Sequence, residues 1–156
     1  MTVQTREPIT VIGFSARTSN AAESNPERAK IGALWGRVMS GALEAVPHRG
    51  SDRRIAAVYH EYGSDQNGPY TILVGAVVDQ TKPTDVPAGM VALEVPAAEC
   101  AVFEARGEMP GALIETWMEI WSAFPNDKQE RAFTSDVEFH APDGSGADIW
   151  IATQRR

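Results

Sequence analysis

Residues 55–79, IAAVYHEYGSDQNGPYTILVGAVVD, form the stretch that decides the fold. Two runs rich in valine, isoleucine and tyrosine flank a polar loop, and the loop contains Asn67-Gly68, a dipeptide that strongly favours turns. This pattern predicts a β-hairpin with strands over residues 55–62 and 70–79. Both faces of the second run are apolar, which indicates a strand near the centre of a sheet.

A strand and a helix are predicted upstream of this hairpin. Residues 8–16 are rich in β-branched side chains, which favour a strand. Apolar residues then recur at helical spacing and predict an amphipathic helix over residues 26–46. Ser24 and Glu27 fit a capping box at its start, and Pro47 ends it.

The same order of elements follows the hairpin. A connector that contains two prolines, at residues 80–89, leads into the second half of the chain. The predicted elements there are strands over residues 90–95 and 99–106, a helix that begins at Pro110 and ends at Pro125-Asn126-Asp127, and a hairpin of strands over residues 133–140 and 147–153.

Strand, helix, strand, strand therefore occurs twice, which predicts a duplicated βαββ unit. Trp35 and Trp117 take equivalent places on the two helices, and Tyr59 and Glu138 take equivalent places in the two hairpins. We expect a single α+β domain over residues 1–156, with one repeat at about residues 8–79 and the other at about residues 90–153. An antiparallel sheet would carry both helices, and a ligand groove would lie at the pseudo-two-fold join between the repeats.

The composition is that of a globular protein and argues against several function classes. Of 156 residues, 43% are apolar and 22% are charged, and the net charge is −7. An acidic chain is a poor partner for nucleic acid, because phosphate binding needs a basic surface. The sequence shows neither a signal peptide nor a membrane-spanning run, so we expect a soluble cytoplasmic protein.

Metal and cofactor motifs are missing from the sequence, so we expect neither group. The single cysteine, Cys100, lies in an apolar run and is predicted to pack in the core. The histidines have no metal-ligand spacing, and the chain has no phosphate-binding glycine loop. A haem-binding role, known for a related duplicated fold, is the weaker alternative, since no histidine lies in a motif that supports axial ligation.

Several stretches, in this order and spacing, match a known family. They are GALW (32–35), VYHEY (58–62), NGPYTILVG (67–75), VPAGM (86–90), ETWMEIW (115–121) and RAFTSDVEF (131–139). Through them the chain resembles the GyrI-like, AraC-type effector-binding domains, the small-molecule-binding modules of multidrug-responsive transcription regulators. It is most similar to the stand-alone members, of the integron-associated or YdeE-like type.

The resemblance implies a glutamate deep in the groove, within an Asp/aromatic/Glu/aromatic pattern on the strand after the second helix. That pattern reads Asp136-Val137-Glu138-Phe139 here, so Val137 departs from it and Phe139 replaces a common tyrosine. Regulators of this family also carry a helix-turn-helix segment. The two repeats occupy the whole of this chain, so the resemblance implies a stand-alone domain without direct nucleic-acid contact.

The resemblance identifies Glu138 as the central ligand-binding candidate. Ionising a carboxylate in an apolar groove is costly, and a lipophilic cation would supply the missing charge while aromatic rings stack on it. The aromatic candidates, for which core packing is the alternative role on the helices, are Tyr59, Tyr70, Trp35, Trp117, Trp121 and Phe139.

Three functions remain open at this point. The first is a ligand sensor or drug-binding protein for hydrophobic cations, with no catalytic residue. The second is a small hydrolase, in which Glu138 would act as the general base. The third is an interaction module that passes its ligand state to a separate regulator, and an exposed sheet edge would also permit a homodimer.

Overall fold

The computed structural model describes residues 2–124 and 129–155, and it confirms the predicted α+β architecture. The strands are β1 (Thr2–Arg6), β2 (Ile9–Ser19), β3 (Ile55–His60), β4 (Pro69–Val78), β5 (Val91–Val95), β6 (Ala98–Arg106), β7 (Gln129–Arg131), β8 (Ser135–His140) and β9 (Gly146–Arg155). The helices are α1 (Asn20–Glu23), α2 (Ile31–Met39) and α3 (Gly111–Ala123), and a 3₁₀ turn spans Ala42–Ala45.

The strands form an antiparallel sheet whose order reflects the duplication. The order is β1-β6-β9-β8-β3-β4-β2-β5, and β7 pairs separately with β9. The half β6-β9-β8 therefore mirrors the half β2-β4-β3, and the two halves meet where β3 pairs with β8. Val58 lies opposite Val137 in that central pair, so the pseudo-two-fold axis passes close to them.

The outermost strands are exchanged between the halves. β5 directly precedes β6 in the chain but pairs with β2, and β1 directly precedes β2 but pairs with β6. The predicted strand at residues 90–95 therefore exists, but it extends the sheet of the first repeat. β1 was not predicted, because an edge strand that is exposed at Thr2–Thr5 carries no apolar alternation.

The first long helix is shorter than predicted. Ser19, not Ser24, caps α1 by accepting a hydrogen bond from the backbone N–H of Ala22 (3.1 Å). The carboxylate of Glu23 then accepts hydrogen bonds from the backbone N–H groups of Lys30 (2.9 Å) and Ile31 (3.1 Å), so it caps the start of α2. The capping box at Ser24 and Glu27 is therefore wrong, since the turn after α1 occupies those residues.

The end of this helix also differs from the prediction. Gly41 adopts a φ of +96°, a left-handed conformation that glycine tolerates, and it separates α2 from the 3₁₀ turn. In the second half, α3 begins at Gly111, directly after the predicted Pro110, and ends at Ala123. The predicted stop at Pro125-Asn126-Asp127 lies outside the described residues.

Both long helices pack on one face of the sheet, which we call the helix face. Leu34 and Val38 of α2 pack among the β2 and β4 side chains, and Ile120 of α3 packs with Phe103 and Ile149. The opposite face, the back face, has its own buried cluster: Val11, Ala56, Val58, Leu73, Val77, Val95, Val137 and Phe139. Side chains alternate between the faces along each strand.

This alternation positions the polar residues of the central strands. Val137 and Phe139 lie on the back face, so Asp136, Glu138 and His140 project from the helix face. Tyr59 on β3 shares that face. It lies two residues along the strand from Ala57, which is the residue directly opposite Glu138. The join between the repeats thus brings polar and aromatic side chains together beneath the helices.

Strands β2 and β4 approach each other closely where two glycines meet. Gly13 lies opposite Gly75 in the register, and a Cβ atom on Gly13 would lie 2.0 Å from the backbone oxygen of Val74. No side chain fits there without displacing backbone. The glycine pair therefore keeps these two strands in contact along the sheet of the first repeat.

Candidate ligand-binding site

A cavity of about 240 Å³ lies on the helix face where the two repeats join. Its floor comes from β3 and β8, and its walls come from α1, the start of α2, one side of α3 and the loop after β3. The lining residues are Asn20, Glu23, Ile31, Tyr59, Tyr62, Gln66, Tyr70, Leu113, Ile114, Trp117, Trp121, Arg131 and Glu138. Five of them are aromatic.

Glu138 lies at the floor of the cavity with its carboxylate fully hydrogen-bonded. The residue is 1% exposed, and its Oε2 accepts hydrogen bonds from the Tyr59 hydroxyl (2.8 Å) and the Trp117 indole N–H (2.7 Å). Its Oε1 lies 2.7 Å from Nε2 of His140. Among the described residues, no lysine or arginine forms an ion pair with this carboxylate.

The aromatic rings around Glu138 form a contiguous layer. The Tyr59 ring contacts the rings of Tyr70 and Trp117 edge-on, at centroid distances of 5.4 and 5.3 Å. Trp117 in turn lies against Trp121, at 6.1 Å, and Trp121 reaches the surface with 36% of its area exposed. The layer therefore runs from the buried carboxylate to the cavity mouth.

The two tyrosine hydroxyls at the floor and wall stay protonated. Burial and the neighbouring Glu138 carboxylate raise the pKa of Tyr59 well above its usual value. Burial, with Glu23 next, also raises the pKa of Tyr70, whose hydroxyl donates a hydrogen bond to Oδ1 of Asn20 (3.0 Å). Both phenols therefore act as neutral hydrogen-bond donors.

A second buried carboxylate, Asp136, differs from Glu138 because its charge is matched. Asp136 is 0% exposed, and its Oδ2 lies 2.8 Å from Nη2 of Arg131, which is itself buried. The same oxygen accepts a hydrogen bond from the Tyr62 hydroxyl, and Oδ1 accepts one from the backbone N–H of Ala152 (2.9 Å). Asp136 is therefore satisfied within the protein.

Five of the seven predicted site residues line the cavity: Tyr59, Tyr70, Trp117, Trp121 and Glu138. Phe139 does not, because a residue adjacent to Glu138 in a strand must project from the other face. It lies in the back-face cluster, with the Arg54 guanidinium 4.2 Å from its ring centroid. Trp35 does not line the cavity either, since its ring packs against His140 at 4.6 Å.

Four functional candidates escaped the sequence analysis: Glu23, Tyr62, Arg131 and His140. His140 could have been predicted as a neighbour of Glu138, because it lies two residues later on the same face of the strand. Glu23, which lines the cavity beside its capping role, was hidden by the wrong helix start. Arg131 and Tyr62 depend on long-range packing, so no local pattern marks them.

The structure adds two observations on metals and membranes. Among residues 2–124 and 129–155, no group of three or more histidine, cysteine, aspartate or glutamate side chains is placed to hold a metal ion. None of the described helices is long and apolar enough to cross a membrane.

This chain matches a known family and known proteins over nearly its full length. The model of the Cass2 family, described as integron-associated effector binding protein, matches residues 2–153. The "Putative transcriptional regulator protein YobU" of Bacillus subtilis (strain 168) is 34% identical over 151 residues, which cover 92% of this chain and 91% of that protein.

Two solved structures share the fold over nearly the full chain. The integron cassette protein VCH_CASS2 from the mobile metagenome of Vibrio cholerae has a TM-score of 0.79 at 31% identity, covering 98% of this chain and 95% of that one. SAV2435, solved bound to tetraphenylphosphonium, has a TM-score of 0.75 at 15% identity, covering 98% and 93% respectively.

Proposed function

The chain belongs to the integron-associated effector-binding protein family, and we propose that it binds a hydrophobic cation in the cavity between its repeats. Glu138 supplies the negative charge, and Tyr59, Tyr70, Trp117 and Trp121 supply the aromatic walls. The repeats, at about residues 8–79 and 90–153, act together as one effector-binding domain. It serves as a ligand sensor or a drug-binding protein.

The single observation that carries this proposal is the state of the Glu138 carboxylate. It is 1% exposed, it accepts hydrogen bonds from neutral donors, and no arginine or lysine among the described residues pairs with it. The ionisable side chain that contacts the carboxylate among the described residues is His140, which balances its charge only when the imidazole is protonated. A buried charge without a permanently charged partner is costly for a protein to keep. A cationic ligand offsets that cost, so the cavity favours it over a neutral molecule of the same shape.

The aromatic layer explains why the cation should also be hydrophobic. Ring faces attract cations through their quadrupoles, and they favour delocalised or apolar cations that carry little hydration to remove. Only the mouth is open, where Trp121 and Ile114 are 36% and 55% exposed. A cation with aromatic or alkyl substituents would bury its charge near Glu138 and leave part of its apolar surface against this rim.

The comparisons support the proposal without testing it on this chain. SAV2435 shares the fold and was solved with tetraphenylphosphonium, a lipophilic cation. YobU bears the name of a regulator, which agrees with a sensing role. The shared fold at low identity is evidence for a cavity of this kind, and the side chains of this chain supply its charge.

A thermal-shift panel tests the proposed function. The panel contains tetraphenylphosphonium, a water-soluble neutral derivative of tetraphenylmethane, which has the same four-phenyl shape, and haem. Ligands that bind only the native state raise the melting temperature by mass action. We expect concentration-dependent stabilisation by the phosphonium and little by the neutral compound or haem. Equal stabilisation by the neutral compound, or none by the phosphonium, would contradict the proposal.

A further inference from the structure

We propose that Arg131 forms a second polar subsite of the cavity and selects cations that also carry a neutral oxygen acceptor, such as a carbonyl group. This inference rests on the proposed function, because it concerns the same cavity and the same class of cation. It assigns to Arg131 a role in specificity beyond its ion pair.

The guanidinium of Arg131 is buried with part of its hydrogen-bonding capacity unused. The side chain is 3% exposed, and Nη2 lies 2.8 Å from Oδ2 of Asp136 and 3.4 Å from the Tyr62 hydroxyl. Nε and Nη1 are buried and have no hydrogen-bond partner among residues 2–124 and 129–155. Buried donors in native proteins are nearly always paired, so two unpaired N–H-bearing atoms in one cavity-lining side chain call for an explanation.

The ion pair with Asp136 does not explain the unused donors. Asp136 engages only Nη2, and its other oxygen is occupied by the backbone N–H of Ala152. A lysine ammonium at position 131 would supply the same charge without leaving planar N–H groups unpaired. The arginine therefore provides donors that the described protein does not use.

The guanidinium lies close to the rings that line the cavity. Its carbon atom Cζ is 5.9 Å from the ring centroids of both Tyr62 and Trp117. The Trp117 indole N–H also donates to Glu138, so one aromatic side chain lies beside both charged groups. A ligand beside Trp117 would therefore lie near both Glu138 and Arg131.

Arg131 also borders a neighbouring cavity of about 240 Å³, on its other side. That cavity is lined in addition by Asp65, Gln66, Phe124 and Phe133. The side chain thus separates two spaces, with its guanidinium 4.4 Å from the Phe133 ring centroid. The proposal requires a small shift of the side chain toward one of these spaces, with Nη2 kept on Asp136, that presents Nε or Nη1 to a ligand.

The charges around the cavity decide which acceptor fits. Asp136 already balances Arg131, and the carboxylates of Glu138 and Glu23 line the same cavity. If the ligand carried an anionic group in addition to its cation, these carboxylates would repel that group. A carbonyl oxygen accepts the spare N–H groups without that repulsion, so the preferred ligand is a cation with a neutral acceptor rather than a zwitterion.

The test uses shape-matched phosphonium probes measured by calorimetry. Acetylphenyl-triphenylphosphonium and isopropylphenyl-triphenylphosphonium differ by a carbonyl oxygen in place of a methyl group, and each is used as the para and the meta isomer. For the wild-type protein we expect the acetyl probe of at least one isomer pair to bind about fivefold tighter or more. Arg131→Lys keeps a charge opposite Asp136, but its donors all lie on one nitrogen atom and it has no counterpart of Nε and Nη1, so this ratio should fall to near one.

Arg106→Lys is the matched control, because Arg106 pairs with Asp148 away from the cavity. It should preserve the wild-type ratio. If Arg131→Lys does not fold, the double variant Arg131→Gln with Asp136→Asn removes both buried charges together and should also abolish the preference.

Each other outcome overturns a stated part of the proposal. No acetyl preference in either isomer pair, or a preference that survives Arg131→Lys, would overturn the role of Arg131. If a carboxyphenyl probe bound tighter than the acetyl probe, the proposed preference for a neutral acceptor over an anionic one would be wrong. If tetraphenylphosphonium itself fails to bind, the proposed function fails, whereas its binding without an acetyl preference removes only this inference.

Discussion

Replacing Glu138 by glutamine is the most informative change to this protein. Glutamine has the same shape, and its amide oxygen can accept the hydrogen bonds that Tyr59 and Trp117 now donate to Oε2. Its amide nitrogen can donate to Nε2 of His140, which now lies against Oε1. The variant should therefore fold with the same cavity and lose only the negative charge.

The expected loss of affinity follows from Coulomb's law. We assume a separation of about 5 Å between the ligand charge and the carboxylate, comparable to the centroid distances of 5.3 and 5.4 Å between the rings around Tyr59. At an effective dielectric constant of about 20, two unit charges at that distance attract by about 3 kcal/mol. Part of this is offset by desolvation of the ligand cation, whereas the carboxylate is already removed from water in the free protein. We expect an affinity loss of at least about tenfold, equal to about 1.4 kcal/mol.

Isothermal titration calorimetry of the wild type and Glu138→Gln measures this loss. Tetraphenylphosphonium is compared with the neutral tetraphenylmethane derivative, and Glu104→Gln serves as the control because Glu104 is exposed on β6. The affinity for the phosphonium should fall only in Glu138→Gln. The neutral compound should bind the wild type and Glu138→Gln with the same affinity. A similar loss for both ligands would refute the electrostatic role, since it would mean that the substitution changed the shape of the cavity.

Three further substitutions and one control variant test the site and the fold. Trp117→Phe removes an indole N–H that donates to a buried carboxylate, so the unfolding free energy from urea denaturation should fall by about 2 kcal/mol. Trp121→Ala, at the cavity mouth, should leave the melting temperature within a few degrees of the wild type. The affinity for the phosphonium, measured by calorimetry, should fall several-fold in this variant. Gly13→Ala should cost about 3 kcal/mol or more in the same urea assay, because its Cβ would lie 2.0 Å from a backbone oxygen. Gly32→Ala on α2, where a Cβ would meet nothing within 4 Å, should instead be neutral or stabilising.

The central features of the fold were predictable because they depend on local patterns. Runs of valine, isoleucine and tyrosine on either side of Asn67-Gly68 predicted the β3–β4 hairpin. Each end of the two strands lies within two residues of its predicted position. The repeated order of elements predicted two equivalent halves with a groove at their join, and the structure shows that they meet where β3 pairs with β8. Tyr59 and Glu138 correspond in that repeat, and their hydrogen bond follows from the pairing of β3 with β8.

The errors arose where tertiary contacts override local propensity. The periodic apolar residues at 26–46 predicted one helix, but the Glu23 carboxylate fixes the start of α2 at Ile31, and Gly41 ends it. The exchange of β1 and β5 between the halves has no local signal, because each strand pairs with the distant repeat rather than with its chain neighbour.

The site itself divides along the same line. Strand alternation places Glu138 and His140 on one face and Phe139 on the other, so Phe139 was a candidate only through the family pattern. Arg131 could not be predicted, because its partner Asp136 lies across the turn between two short strands and its neighbouring rings come from other elements. Residues that satisfy buried charges are set by packing, which periodicity does not encode.

A crystal structure of the protein with tetraphenylphosphonium tests the central claim most directly. We expect phosphonium density in the cavity between the repeats, with phenyl groups against Tyr59, Trp117 and Trp121. The phosphorus should lie closer to the Glu138 carboxylate than to that of Asp136. Phosphonium density elsewhere on the molecule, or bound in the cavity with Asp136 as the nearest carboxylate, would contradict it.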